Sequence, residues 1–333
     1  MLLAGGPVFD MTALGGIDRR RFALAAGAAA GGLIAVSKTL PEYFWAEDQR
    51  PLCSRVAVVS ADSYFGDLED LLVRGLRLFN IDLKGKTVLL KPNLVEYIPG
   101  VAVNTDPLLI GAAVDAFLRL GAGRVVVAEG PGHQRDTYLL LVGSGLDDQL
   151  QPRRIGFVDL NRDELVKTRV RADYTGLEQL WLPRTVLSAD LIVSIPKVKT
   201  HHWAGVTLSM KNMFGVIPGV KYGWPKNVLH WQGIERSILD ICATVRPHFV
   251  IADGIIAMEG NGPLHGRPRE LKEVVLADDP VAADFTCTRL MGLRPEWFYH
   301  LDQASRFLGN GDVRKIEQLA EAIPLSPSPF AFK

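Results

Sequence analysis

The chain has 333 residues, 48% of them apolar, and its 37 lysine and arginine residues balance 37 aspartate and glutamate residues. That length supports one large domain or two modest ones with a substantial core and no need of covalent staples. The neutral balance excludes a global field that would draw the protein to nucleic acid, an anionic membrane or an acidic polymer, so any charge that matters is local.

The chain opens on an address. Asp18 to Leu24 reads Asp-Arg-Arg-Arg-Phe-Ala-Leu, and Ala23 to Val36 is an uncharged run rich in alanine and glycine that ends before Lys38. A charged region ahead of an apolar one is the layout of an export signal. The run is shorter than the roughly 20 residues that span a bilayer, which makes a permanent transmembrane helix the weaker reading. Paired arginines with phenylalanine close behind resemble the twin-arginine pattern, with aspartate where serine or threonine is usual and alanine where leucine is usual. The expectation is export by the twin-arginine translocation machinery to a periplasmic or other extracytoplasmic location. Cleavage after Ser37 and retention as an uncleaved anchor both stay open, as does a start at Met11. That route carries folded proteins, often with a cofactor loaded, which raises the expectation of a bound metal or cofactor without naming one. Residues 1–37 are thus read as signal and 38–54 as linker.

From Arg55 the chain alternates β-branched runs with amphipathic segments, which predicts an α/β domain over 55–323 with a mainly parallel sheet flanked by helices. Val56 to Val59 is the first strand, followed by a helix from Leu68 to Phe79 and a strand from Thr87 to Leu90. Asp106-Pro107 starts a helix, with aspartate as cap and proline at the first helical position, and Gly121 to Gly123 ends it. Val125 to Ala128 is the third strand. A helix from Tyr138 to Leu150 precedes strands at Ile155 to Val158 and Leu165 to Val170. The second half continues with a strand at Leu191 to Ile195, a helix at Ile234 to Val245, and strands at Phe249 to Ala252 and Val274 to Leu276. Ile234, Ile238, Ile241 and Val245 recur every three or four residues and form a core stripe. Pro324 to Lys333 reads as a loose tail.

The three cysteines, Cys53, Cys242 and Cys287, lie far apart without a C-x-x-C pair, so the sequence offers neither a zinc knuckle nor an iron–sulfur cradle. One disulfide stays open, and Cys242 on its apolar helix reads as a small buried thiol. Gly-x-Gly-x-x-Gly after the first strand is absent, which makes the fold Rossmann-like without the dinucleotide fingerprint; a Walker loop and a Gly-x-Ser-x-Gly elbow are absent too.

In open parallel sheets, ligands gather beyond the carboxyl ends of the strands. Here those ends are polar: Lys91-Pro92-Asn93, Glu129 to His133, Lys197 to His202, and Asp253-Gly254. The expectation is one shared mouth. Lys197, Lys199 and Lys211, with Lys91, Asn93 and Asn212, form a cationic and donor-rich set suited to phosphate or carboxylate. Ser209 to Phe214 reads as helical, which lets Lys211 close on the ligand from the helix side; a lysine lying over apolar surface is the bland alternative. Glu259-Gly260-Asn261-Gly262-Pro263 is a glycine-rich loop whose Glu259 and Asn261 add contacts. The expected catalytic set is His201 as acid or base, with Lys199, and with Asp253 or Glu259 orienting the histidine or a metal. One metal reading uses His201, Asp253 and Glu259, although no metal-site spacing supports it and adjacent His201 and His202 cannot easily share an ion. Asp284 reads as a helix-start carboxylate.

These phrases resemble the DUF362 family, a domain of unknown function: Leu90 to Asn93, Ala189 to His201, Leu208 to Gly215, Asp253-Gly254 and Glu259 to Pro263, spread over roughly residues 55 to 290. The resemblance implies a polar pocket on an α/β scaffold. Some members carry a ferredoxin-like module with cysteine runs, which this chain lacks, so no iron–sulfur cluster of its own is expected. The leading expectation is an exported enzyme, redox chemistry and a redox partner slightly favoured, acting on a small anionic molecule. A non-catalytic anion- or metal-binding protein is the rival, and a purely structural role comes third. Oligomeric state stays open.

Overall fold

The β-branched runs become a ten-stranded mixed sheet in the structure, a computed structural model that describes residues 46–132, 134, 136–320 and 328–332. The signal expected over 1–37, the first part of the linker and His133 lie outside these residues. In chain order the strands are β1 (Ser54–Ser60), β2 (Thr87–Pro92), β3 (Arg124–Glu129), β4 (Phe157–Asp159), β5 (Leu165–Arg169), β6 (Gln179–Pro183), β7 (Leu191–Ile195), β8 (Lys197–His201), β9 (Gly205–Thr207), β10 (Phe249–Asn261), β11 (His265–Ala277) and β12 (Ile316–Gln318). The sheet runs β12-β1-β11-β10-β7-β2-β3-β4. Neighbours from β10 through β7, β2 and β3 to β4 are parallel, as are β1 and β12; β11 is antiparallel to both β1 and β10. The fold is α/β with a mostly parallel central sheet, as the alternating pattern predicts.

Side chains alternate across a strand, and the two faces of this sheet bury different sets. Val56, Val58, Leu89, Ile192, Val250 and Val275 pack on one side, against the helices Ile234–Thr244, Pro280–Leu290 and Tyr299–Phe307. Ala57, Val88, Leu90, Val193, Ile251 and Leu276 pack on the other, against Leu68–Arg77 and Pro107–Arg119. Both faces being covered explains why the strands read as near-continuous apolar runs. The Asp106 cap forms as expected: its carboxylate accepts from the Leu108 N–H with Pro107 in the first turn.

Four expectations need correction. The helix expected from Tyr138 to Leu150 is two, Thr137–Ser144 and Leu146–Leu150, because Gly145 between them has φ +76°. Leu165–Arg169 is a strand but pairs only with β6, in a separate two-stranded sheet. The short strands expected at Phe249 and Val274 are the inner ends of a hairpin of two 13-residue strands, so Glu259 to Asn261 belongs to a strand rather than a loop. The tail is docked where it is described: Phe330 is buried, its N–H donates to Met291 O, and the Gly260 N–H donates to Ala331 O.

All three cysteines are free, Cys242 and Cys287 buried and Cys53 exposed. Among the described residues no helix is long and apolar enough to cross a membrane.

Candidate functional site

A cavity of about 500 Å³ opens beyond the carboxyl ends of β2, β3 and β8. Pro196 interrupts the run after β7, and the chain then continues along β10 as β8, with Lys197 opposite Asp253 and Lys199 opposite Met258. The segment expected to be a loop after a strand is therefore itself a strand, and that is how Lys199 and His201 come to be buried. The helix Ser209–Asn212 brings Lys211 and Asn212 from the other side. Its first two N–H groups, of Ser209 and Met210, donate to Asp284. Asp284 is thus not a cap of its own helix, whose start is capped by Asp279; it anchors the start of a neighbouring one.

The cavity floor is a polar knot. Lys91 Nζ donates to Glu129 Oε2 (2.5 Å), Asn212 Oδ1 (3.0 Å) and Pro92 O (2.9 Å). The Asn212 amide returns donors to Lys91 O and Ser194 Oγ, and Glu129 also accepts from the Gly130 N–H. Gly215 passes so close that any Cβ there would collide with the Glu129 carboxylate, a constraint only glycine meets. Lys226 Nζ closes the far side on Gly130 O and Phe214 O, at 2.8 and 2.9 Å.

Above the knot three polar groups lack partners among the described residues. Lys211 Nζ meets no hydrogen-bond acceptor or carboxylate among the described residues; it rests 4.6 Å from the Phe214 ring centre. Asn93 Oδ1 and Thr207 Oγ1 are buried at the cavity wall without partners. Buried polar atoms are normally satisfied, so orphans lining a cavity point to a ligand or water that completes them. Lys199, fully buried, donates to Val103 O at 2.6 Å.

Electrostatics follow from four lysines gathered around one carboxylate. Burial, with repulsion from Lys211 and Lys197, holds the Lys199 amine well below its ordinary range. Burial and the charge on Lys91 bring Lys211 down to about 8, and burial brings Lys226 to about 7, although Glu129 opposes both. Lys91 is lowered by burial too, against the pull of Glu129. His201 accepts at Nδ1 from the Trp203 and Ala204 N–H groups, both at 3.1 Å, which fixes its proton on Nε2. Burial and the Lys211 charge push its pKa far down, so it is a neutral N–H donor at physiological pH. That differs from the expected acid–base role: with Nδ1 taken by two backbone donors and the proton on Nε2, the ring is set to donate rather than to accept.

Residues 88–289, more than half the length, match the family described as Domain of unknown function (DUF362). The chain belongs to the DUF362 family. It is 30% identical over 244 residues to a thylakoid-associated protein of Synechocystis sp., covering 71% of this chain and 72% of that one. Two solved structures are similar at low identity. One is a protein from Thermotoga maritima (13% identity, TM-score 0.41, 71% of this chain and 61% of the other). The other is the lactate racemase apoprotein from Thermoanaerobacterium thermosaccharolyticum (15% identity, TM-score 0.41, 70% and 56%). This DUF362 chain spans less than two thirds of either solved chain.

The single mouth expected from the polar strand ends divides. Asn93, Lys199, His201, Lys211, Asn212 and Asn261 do line the cavity. Lys91 does not, since its ammonium donors are engaged in the knot below. Lys197 and Asp253 form a separate buried pair at 2.8 Å, closed by the Tyr64 hydroxyl and the Asp106 N–H, so Asp253 has no free oxygen to offer a substrate. Glu259 points away into Arg267, Arg269 and the Ala331 N–H. The metal set of His201, Asp253 and Glu259 is accordingly not assembled, and among the described residues no three His, Cys, Asp or Glu side chains are placed to hold an ion. Three wall residues had no signal in the sequence reading: Thr207, Lys226 and His230.

Proposed function

We propose that this DUF362 protein binds a small organic anion in the cavity, with Lys211 as the charge contact and the His201 Nε2–H polarising an oxygen of the bound molecule. The single observation that carries this reading is the Lys211 ammonium, half-buried at the cavity wall beside buried Lys199 and Lys226, with no hydrogen-bond or ion-pair partner among the described residues, while Lys91 already holds the Glu129 carboxylate. A partly desolvated cation that shares a single carboxylate with a neighbouring lysine gains from a counter-charge of its own, and a bound anion supplies one. Asn93 Oδ1 and Thr207 Oγ1 add an acceptor and a hydroxyl, so a ligand bearing an O–H or N–H donor beside its anionic group satisfies both orphans.

Neutral His201 suits the stabilisation of charge developing on a carbonyl or alkoxide oxygen, an electrophilic role in which a fixed N–H donor acts without changing its own protonation. Export through the twin-arginine route is part of the same proposal and rests on Arg19-Arg20-Arg21-Phe22 and the apolar run after it.

A thermal-shift screen of carboxylates and phosphates tests the reading. Anions that raise the melting temperature of the wild-type protein lose that effect in Lys211→Gln and keep it in Asp253→Asn. Equal shifts in wild type and Lys211→Gln would remove the site.

A further inference from the structure

The cavity has a second chemistry besides its cations. Five rings run along its wall in unbroken contact. His201 stacks on His202 at 5.0 Å with the planes 20° apart, and His202 meets Trp203 edge-on at 4.9 Å. Trp203 meets His230 at 5.5 Å, and His230 meets Phe214 at 5.3 Å. The series ends at Lys211, whose ammonium lies over the Phe214 ring. Three of these rings are held by the backbone rather than by each other: His201 by the Trp203 and Ala204 N–H groups, His202 by Gly262 O at 2.7 Å, and His230 by Lys226 O at 3.1 Å. Trp203 is 62% exposed, which leaves a large face open to a visitor.

Size argues in the same direction. At about 30 Å³ per water molecule, 500 Å³ is the space of some 17 waters. An inorganic anion leaves most of that volume to water, so there is room for a ligand with a body as well as a head. Ring edges and faces favour an aromatic body over an aliphatic one of equal area, because offset and edge-to-face pairs add to area burial alone.

Resting on the anion-binding reading above, we propose that the ligand is a planar aromatic molecule carrying an anionic group. Its ring lies along the wall of His202, Trp203, His230 and Phe214, and its anion lies on Lys211. Lysine and ring are adjacent, so the charge sits one or two bonds from the ring rather than on a long chain.

Isothermal titration of the full chain with a set matched in carbon number separates the two parts: phenyl phosphate, cyclohexyl phosphate, phenol, and the carboxylates benzoate and cyclohexanecarboxylate. Within one head group the aromatic ligand binds about fivefold or more tighter than its cyclohexyl partner, and phenol binds weakest. Trp203→Leu and His230→Leu lower the aromatic affinities to the cyclohexyl level and leave the cyclohexyl affinities unchanged. Lys211→Gln weakens every anion and leaves phenol unchanged. Circular dichroism melts of each variant confirm that the folded state is the one titrated. Equal affinities for phenyl and cyclohexyl anions would overturn the aromatic proposal while the anion reading stands. Silence from all four anions, with phenol bound, would overturn the anion reading itself.

Discussion

Replacing Lys91 by methionine removes the ammonium and keeps most of the stem. Its Nζ has three acceptors, and the side chains of Lys91 and Glu129 are 0% and 2% exposed. What remains is a Glu129 carboxylate, nearly fully buried at the cavity floor, with only the N–H groups of Gly130 at 2.8 Å and Leu94 at 3.3 Å as donors. Breaking a buried pair from one side costs about 3–5 kcal/mol, more than the pair itself contributes, because a lone charge stays behind. For a domain whose whole stability is about 5–15 kcal/mol, that is a large fraction. With a urea slope of about 3 kcal/mol per molar, the unfolding midpoint of Lys91→Met falls by roughly 1–1.7 M. Lys91→Met with Glu129→Gln recovers part of the loss, since the neutral amide no longer leaves a buried charge. Circular dichroism against urea reads both variants. A midpoint drop under about 0.3 M for the single variant, which is less than about 1 kcal/mol, would show that the knot is hydrated and would refute the burial on which the cavity's electrostatics depend.

Lys211 supplies a pH test. Its free pKa is near 8, and a bound anion raises it, so binding draws a proton and weakens as pH rises through 8. Benzenesulfonate, whose charge is constant, should bind about tenfold or more weakly at pH 9.5 than at pH 7, and titration calorimetry of Lys211→Gln should show no such slope. Asp253→Ala leaves Lys197 charged and buried, so it should cost about 3–5 kcal/mol in denaturant, while the benzenesulfonate affinity of the folded fraction stays at the wild-type value. Asp284→Ala orphans the Ser209 and Met210 N–H groups and should cost about 2–5 kcal/mol, with Lys211 misplaced and anion affinity reduced. Burial pushes the Asp284 carboxyl up to about 8 from 3.8, so the folded state holds its proton longer than the unfolded chain. Its contribution is full below about pH 4 and fades as pH rises to 8, a slope that urea titrations of Asp284→Asn should lack.

Much of the scaffold was legible because its signals are local. Val56 to Val59 and Leu191 to Ile195 carry their strands in their own β-branched residues, and Asp106-Pro107 carries a helix start in two. Lys199 and His201 were legible as cavity residues from the rule that ligands gather at strand ends, and Lys211 from the helical reading of Ser209 to Phe214. What was not legible is non-local. Asp253 and Glu259 look as free as any carboxylate until the sheet register sets Lys197 opposite Asp253 and Arg267 opposite Glu259. Lys91 reads as a ligand group until Glu129 and Asn212 arrive from distant strands and helices to occupy it. Lys226 reaches the cavity from a turn between short helices, with no strand or helix pattern to announce it.

The most direct measurement is anomalous diffraction from crystals equilibrated with selenate, a tetrahedral anion with its own scattering signature. Selenium density in the cavity within hydrogen-bonding reach of Lys211 Nζ, abolished in Lys211→Gln, is the expected result. Selenate found only at surface arginines such as Arg267, with the cavity filled by water alone, would contradict the assignment of an anion to these lysines.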